Sequence, residues 1–267
     1  MERYRVAPGQ QVALKERDPD DQGEFAGDKE AGEAQVNELV KRLEGLQEML
    51  HAQRRRRILV VLQAMDTGGK DGTIRRVFEG VNPSGVRVAS FKQPTSLELA
   101  HDYLWRVHPH VPGDGELVIF NRSHYEDVLV VRVHQLVEEA RWQRRYAQIV
   151  EFERLLAEEG TTIVKFFLHI SKEEQRERLQ ARLDDPNKRW KFAMRDLDER
   201  KLWDEYQRAY EDALSRTSTE HAPWYVVPAN RKWYRDMVVA TVLVKTLEGL
   251  GLDWPKASED LSNIVVT

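Results

Sequence analysis

The sequence predicts an α/β fold: a five-stranded parallel sheet with helices on both faces. Two patterns predict it. Five short apolar runs alternate with stretches whose apolar residues recur at three- and four-residue steps. The first run also leads through a glycine-rich turn and a lysine into a helix, a connection typical of parallel sheets.

Taken in order, roughly the first 28 residues are rich in Asp, Gly and Gln and read as an irregular arm. A helix follows from Lys29 to Ala52, with Val36, Leu39, Val40, Leu43, Leu46 and Leu50 on one face. Ile58–Leu62 is a fully apolar strand, and Lys70–Glu79 is the helix beyond the glycine-rich turn. Val86–Phe91 is the second strand. Ser96–His108 reads as a helix opened by a capping box at Ser96. Leu117–Phe120 is the third strand, Ala140–Glu159 a long helix stopped by Gly160, and Thr162–His169 the fourth strand. Ser171 caps a helix to Leu183. Helices over Asp196–Leu214 and Lys232–Leu250 flank a fifth strand, Trp224–Val227. Trp203, Trp224 and Trp233 read as core and interface packing.

The 267 residues carry 41 basic and 45 acidic side chains, a net charge of −4. That balance disfavours a general nucleic-acid binder. No cysteine is present, which excludes disulfides, thiolate nucleophiles, zinc fingers and iron–sulfur clusters. The longest aliphatic run, Met237–Val244, falls well short of the roughly 18 residues of a membrane span. The start has no signal-peptide core, so the expected location is the cytoplasm, with no membrane partner.

Three clusters carry chemistry. In the first, Ile58-Leu-Val-Val-Leu-Gln-Ala-Met-Asp66-Thr-Gly-Gly-Lys70-Asp71-Gly72-Thr73, a buried strand feeds a turn that points backbone N–H groups at a phosphate. Candidate phosphate ligands are Gly68, Gly69, Lys70, Asp71, Gly72 and Thr73, with Lys70 reaching the outer phosphates. Against the pattern G-x-x-x-x-G-K-[ST], Ala64 replaces the first Gly and Asp71 replaces the metal-ligating hydroxyl. A carboxylate at Asp66, inside a phosphate cradle, is repelled unless a cation intervenes, so Asp66 reads as a magnesium ligand, direct or through water.

The second cluster, Asn121-Arg122-Ser123-His124-Tyr125-Glu126-Asp127, follows the third strand, at the edge where open sheets bind ligands. Arg122 could clamp a transferring phosphoryl group, and Glu126 or Asp127 could hold a second metal. The third cluster, Arg176, Arg178, Arg182, Lys188, Arg189, Lys191 and Arg195 around Pro186, reads as a mobile basic lid or a solvated face. Arg178 and Arg182, four apart, share a helical face and could close together over a polyanion. His108, His110, His124, His134 and His169 lack metal-ligand spacing and read as structural.

These motifs, with GVNPSGVRVASF, ELVIFNRSHYEDVLVVRV, RLDDPNKRWKF and HAPWYVVPAN, resemble the family-2 polyphosphate kinases over roughly residues 30–250. The resemblance implies a P-loop kinase fold related to thymidylate kinase, and reversible Mg2+-dependent phosphoryl transfer from inorganic polyphosphate to AMP and ADP. Mn2+ is an alternative ion. By position, Asp66 and Lys70 match the family's phosphate-loop pair, Arg122 its second-motif arginine, and Arg182 its lid arginine. Many members carry Asp where Asn121 stands and Asn where Glu126 stands. The Asn121/Glu126 pattern is similar to a subgroup accepting both AMP and ADP, often called class III, and Glu126 is then expected to share the metal with Asp66.

The expected organisation is an N-terminal arm and docking helix over residues 1–52 and a kinase domain over residues 53–267, with a lid at 172–195. The partners implied are polyphosphate, adenine nucleotides and further copies of the chain, as a dimer or tetramer. Two rivals are an ATP-dependent nucleoside monophosphate kinase on the same fold and a non-catalytic sensor of polyphosphate or nucleotide.

Overall fold

Strand β1 (Arg57–Ala64) is buried at every position after its first, so both its faces are covered and it belongs in the middle of a sheet. The computed structural model, which describes residues 1–256 and residue 259, puts it there. Its companions are β2 (Val86–Ser90), β3 (Leu117–Asn121), β4 (Thr161–His169) and β5 (Trp224–Pro228). All pair in parallel in the order β2-β3-β1-β4-β5. Leu62 lies level with Asn121 on one side and Phe166 on the other, so the loops leaving β1 and β3 emerge side by side. The chain runs from β1 to β2 on one side and from β3 to β4 on the other. A crevice opens at such a switch point, beyond the carboxyl ends of the strands.

The helices are α1 (Lys29–Gln53), α2 (Lys70–Val77), α3 (Ser96–Leu99), α4 (Val130–Val133), α5 (Glu139–Glu158), α6 (Lys172–Asp184), α7 (Met194–Lys201), α8 (Trp203–Thr217) and α9 (Lys232–Glu248). α1, α2 and α9 pack together as one layer, and α4, α5 and α8 as another. Asp28 caps α1 by accepting from the N–H of Ala31, and Ser171 caps α6 as its sequence predicts. No helix among the described residues is long and apolar enough to cross a membrane.

Several expectations are corrected. The helix expected over Ser96–His108 is a single turn, and its capping box sits one residue earlier, on Thr95 with Glu98. Asp102 accepts from the N–H groups of Leu104 and Trp105, a local turn that competes with helix. The helix expected over Asp196–Leu214 breaks at Leu202, where the backbone leaves helical geometry between α7 and α8. The arm is irregular, with short turns at Glu2–Tyr4 and Leu14–Glu16, and its Tyr4, Val6, Val12 and Leu14 join the core. Its Val6 N–H donates to Trp224 O at 2.8 Å, so the arm covers the exposed edge of β5. The end of the expected 53–267 domain, residues 257–258 and 260–267, lies outside the described residues.

α1 and α9 meet closely because α1 carries a glycine at the crossing. A Cβ on Gly32 would lie 2.2 Å from a ring atom of Trp233, whereas one on Gly45 in the same helix would touch nothing. The two glycines should therefore respond oppositely to alanine. Gly45→Ala should stabilise the protein by about 0.5–1 kcal/mol through helix propensity, and Gly32→Ala should cost about 1–3 kcal/mol through overpacking. Urea unfolding of both variants measures the sign directly.

Candidate active site

The loop after β1 turns back on itself before α2. The N–H of Gly68 donates to Met65 O at 2.9 Å, and Thr67 and Gly69 take positive φ of 65° and 103°. A Cβ on Gly68 would meet that of Ala64 at 2.5 Å, so the close turn needs glycine. The first turn of α2 presents unpaired backbone N–H groups and the positive end of the helix dipole to the crevice. Lys70 opens that helix, with Nζ 3.2 Å from Ala64 O. Burial, with the nearby Arg122, lowers its pKa, while Asp66, Glu126 and Asp71 pull the other way. Asp71 accepts a 2.7 Å bond from the Asn121 amide at the end of β3. Thr73 departs from expectation. It is fully buried, its N–H bonds Gly69 O within the helix, and it does not line the crevice.

The segment after β3 brings the second cluster against the first. Arg122 has a left-handed backbone, φ 63°, and its N–H donates to Leu62 O at 3.1 Å. Its guanidinium lies between two carboxylates, 3.3 Å from Asp66 and 3.8 Å from Glu126. Burial opposes the charge on Arg122, but Glu126 and Asp66 outweigh it and raise its pKa. Burial raises the pKa of Glu126 against the pull of Arg122 and Lys70. Asp127 turns away to Arg145, at 2.9 Å, and burial pushes its carboxyl up to about 6. Of the two carboxylates left open as metal ligands, Glu126 is the one that stands beside Asp66 and Arg122.

The basic cluster divides. Lys188 is exposed and Arg182 half-buried, and both line the same cleft, of about 1480 Å³, as Asp66, Lys70, Arg122 and Glu126. Arg178 lines it too, but its donors are engaged. Its Nε bonds Glu174 at 2.6 Å, Nη1 bonds Thr67 O at 3.0 Å, and Nη2 bonds Ala229 O and Asn230 O at 2.7 and 3.0 Å. Arg178 therefore ties the phosphate loop to the loop after β5, which its helical spacing from Arg182 does not reveal.

Lys232 and Arg235, at the start of α9, also line the cleft and were not singled out by motif. Arg235 pairs with Asp236 at 2.7 Å and lies over Gly69, where a Cβ would meet its Nη1 at 2.1 Å. Their signal was available: they follow the fifth strand, at the same edge as the two motifs. Among the histidines, His124 is buried on Glu153, His134 bonds Glu199, and His169 bonds Arg17 O. No group of three or more His, Asp or Glu able to hold a metal occurs among the described residues.

The family model for Polyphosphate kinase 2 matches residues 26–252. An AMP/ADP-polyphosphate phosphotransferase of Meiothermus ruber is 63% identical over 266 residues, covering 100% of both chains. An ADP-polyphosphate phosphotransferase of Rhodopseudomonas palustris is 43% identical, covering 96% of this chain and 92% of its own. The crystal structure of Polyphosphate Kinase 2 from Arthrobacter aurescens TC1 superimposes with a TM-score of 0.94 at 48% identity, covering 98% of this chain and 93% of that one.

The split between Arg178 and Arg182 is open to test. Arg178→Ala should lower unfolding free energy by about 2–3 kcal/mol, because charged hydrogen bonds to three carbonyls and a carboxylate are lost. Arg182→Ala should change it by less than about 0.5 kcal/mol, since its guanidinium makes only a long 3.5 Å bond to Lys191 O. Denaturant midpoints of the two variants make the comparison.

Proposed function

This chain belongs to the polyphosphate kinase 2 family, and on that premise we propose that it transfers phosphoryl groups between inorganic polyphosphate and AMP or ADP. Its P-loop kinase fold, shared with the structural neighbour, supports the reaction class. One observation carries the proposal furthest. Lys70, Arg122 and Arg182 line one cleft with the carboxylates of Asp66 and Glu126, beside the positive end of α2.

Donor and acceptor are both polyanions, so bringing them together requires cations before it requires chemistry. Lys70 and Arg122 meet the phosphates at the loop, and Arg182 and Lys188 meet the chain from the lid. An oxygen of the AMP or ADP phosphate attacks the terminal phosphorus of the chain, and the shortened chain leaves with the bridging oxygen. No side-chain nucleophile is required. With AMP as with ADP, one phosphoanhydride is exchanged for another, which makes the reaction reversible.

The donor set fits a hard divalent cation, because two carboxylates face the cleft together and share a single guanidinium. Asp66 and Glu126 would hold Mg2+, or Mn2+ with the same oxygen preference. When bound, the ion supplies charge neutralisation at phosphate oxygens.

The same proposal includes a cytoplasmic homo-oligomer, dimer or tetramer, without nucleic-acid or membrane partners. Light scattering measures the oligomeric state.

The decisive assay supplies AMP, polyphosphate and Mg2+ with no ATP. ADP and then ATP should accumulate. Turnover that begins only when ATP is added would make the protein a nucleoside monophosphate kinase, and binding without turnover would make it a sensor. In the same assay Lys70→Ala should cut turnover by roughly 100- to 1,000-fold while the fold survives, the scale of a lost oxyanion-type donor. Near-normal turnover would remove Lys70 from the site.

A further inference from the structure

Arg122 and Glu126 lie on a segment whose intervening side chains are anchored from beneath. His124 and Tyr125 point into the core and are almost completely buried. Both reach one carboxylate, Glu153 of α5: His124 Nε2 lies 3.1 Å from its Oε1, and the Tyr125 hydroxyl donates to that same oxygen at 2.9 Å. The other oxygen, Oε2, accepts from Lys165 of β4 at 2.5 Å. Lys165 also donates to Tyr125 at 2.8 Å and to Thr217 O at 2.8 Å. Glu153 and Lys165 have no exposed surface at all.

Such a pair is costly to bury, and apolar residues of the same volume are often no less stable. Its position accounts for what it does. Glu153 ties two consecutive residues of the loop to α5 and, through Lys165, to β4. Ser123 adds a third fastening, accepting from the N–H of Tyr125 and from Gln63 at the end of β1. Arg122, next in the chain, holds a left-handed backbone that a non-glycine residue keeps only where its surroundings enforce it. The outward side chains at 122 and 126 therefore inherit their placement from the inward ones at 124 and 125.

We propose that the buried Glu153–Lys165 pair is a positioning device that holds Arg122 and Glu126 in the geometry phosphoryl transfer requires. It touches neither substrate nor reacting atoms. The proposal rests on the transfer reaction proposed above, and one arm of its test is independent of that reaction.

Glu153→Gln keeps the size and removes the charge. Its kcat should fall by about 10-fold or more, since displacement of a reacting group by about 1 Å costs on that order or beyond. KM for polyphosphate should stay within about twofold, because Arg182 and Lys188 do not touch the network. In the free enzyme, backbone amides of residues 122–127 should exchange with deuterium at least about tenfold faster, while those of β1 keep their protection. If Glu153→Gln does not fold, Tyr125→Phe deletes one hydroxyl only and should show the same pattern at reduced size, about threefold in kcat. In a folded variant, unchanged kcat with unchanged exchange at 122–127 would overturn the proposal. So would exchange that accelerates equally over the whole sheet, the mark of plain destabilisation. Wild-type protein without polyphosphate turnover would sink the transfer reaction instead, leaving the exchange measurement to decide whether Glu153 fixes the loop.

Discussion

Two carboxylates and a guanidinium share the crevice between the ends of β1 and β3. Asp66 and Glu126 repel each other, and a phosphate chain beside them would repel both. Arg122 separates the two and keeps them together. That three-charge arrangement constrains the rest of the molecule, because Asp66 comes from the loop after β1 while Arg122 and Glu126 come from the segment after β3. The parallel register that sets Leu62 level with Asn121 is what brings them within reach.

The supports come from far along the chain. Arg178 on α6 ties Thr67 O to the carbonyls after β5, and Arg235 on α9 fills the space over Gly69. Lys165 on β4 and Glu153 on α5 secure the segment between Arg122 and Glu126 from the core side. Cations in this cleft thus divide into two kinds. Arg178 and Arg235 are committed to holding backbone or a buried partner, while Arg182, 3.5 Å from Lys191 O, and the exposed Lys188, paired with Asp185 at 2.6 Å, are held only within the 182–191 stretch and line the cleft. A count of basic residues along α6 does not separate them, since the distinction lies in what each guanidinium touches.

Much of this is legible in the sequence alone. The apolar run ending at Ala64, the paired glycines and Lys70 specify strand, turn and helix start by local sterics, and those elements appear where the pattern puts them. α1 follows its apolar spacing, with Val36, Val40, Leu43, Leu46 and Leu50 all buried. Failures arose where short-range competition decided the outcome. Asp102 caps a turn inside an expected helix, and Leu202 interrupts another without a proline or glycine to announce it. Thr73 fits the phosphate-loop spacing but faces the protein interior, since one further step around a helix rotates a residue about 100°. The Lys165 network left one visible trace, a lysine inside the apolar strand TTIVKFFLH. Its partner Glu153 lay hidden on the buried face of α5, where no linear pattern connects the two.

Most directly, the account stands on Asp66 and Glu126 being a cation site that Arg122 bridges. Mn2+ binding followed by electron paramagnetic resonance, with polyphosphate present, tests this without reliance on turnover. Asp66→Asn keeps the size of the side chain and removes its charge. It should weaken Mn2+ binding by at least about tenfold relative to wild type, and Glu126→Gln should do the same. Titrations of both variants that overlay the wild-type curve would contradict the account.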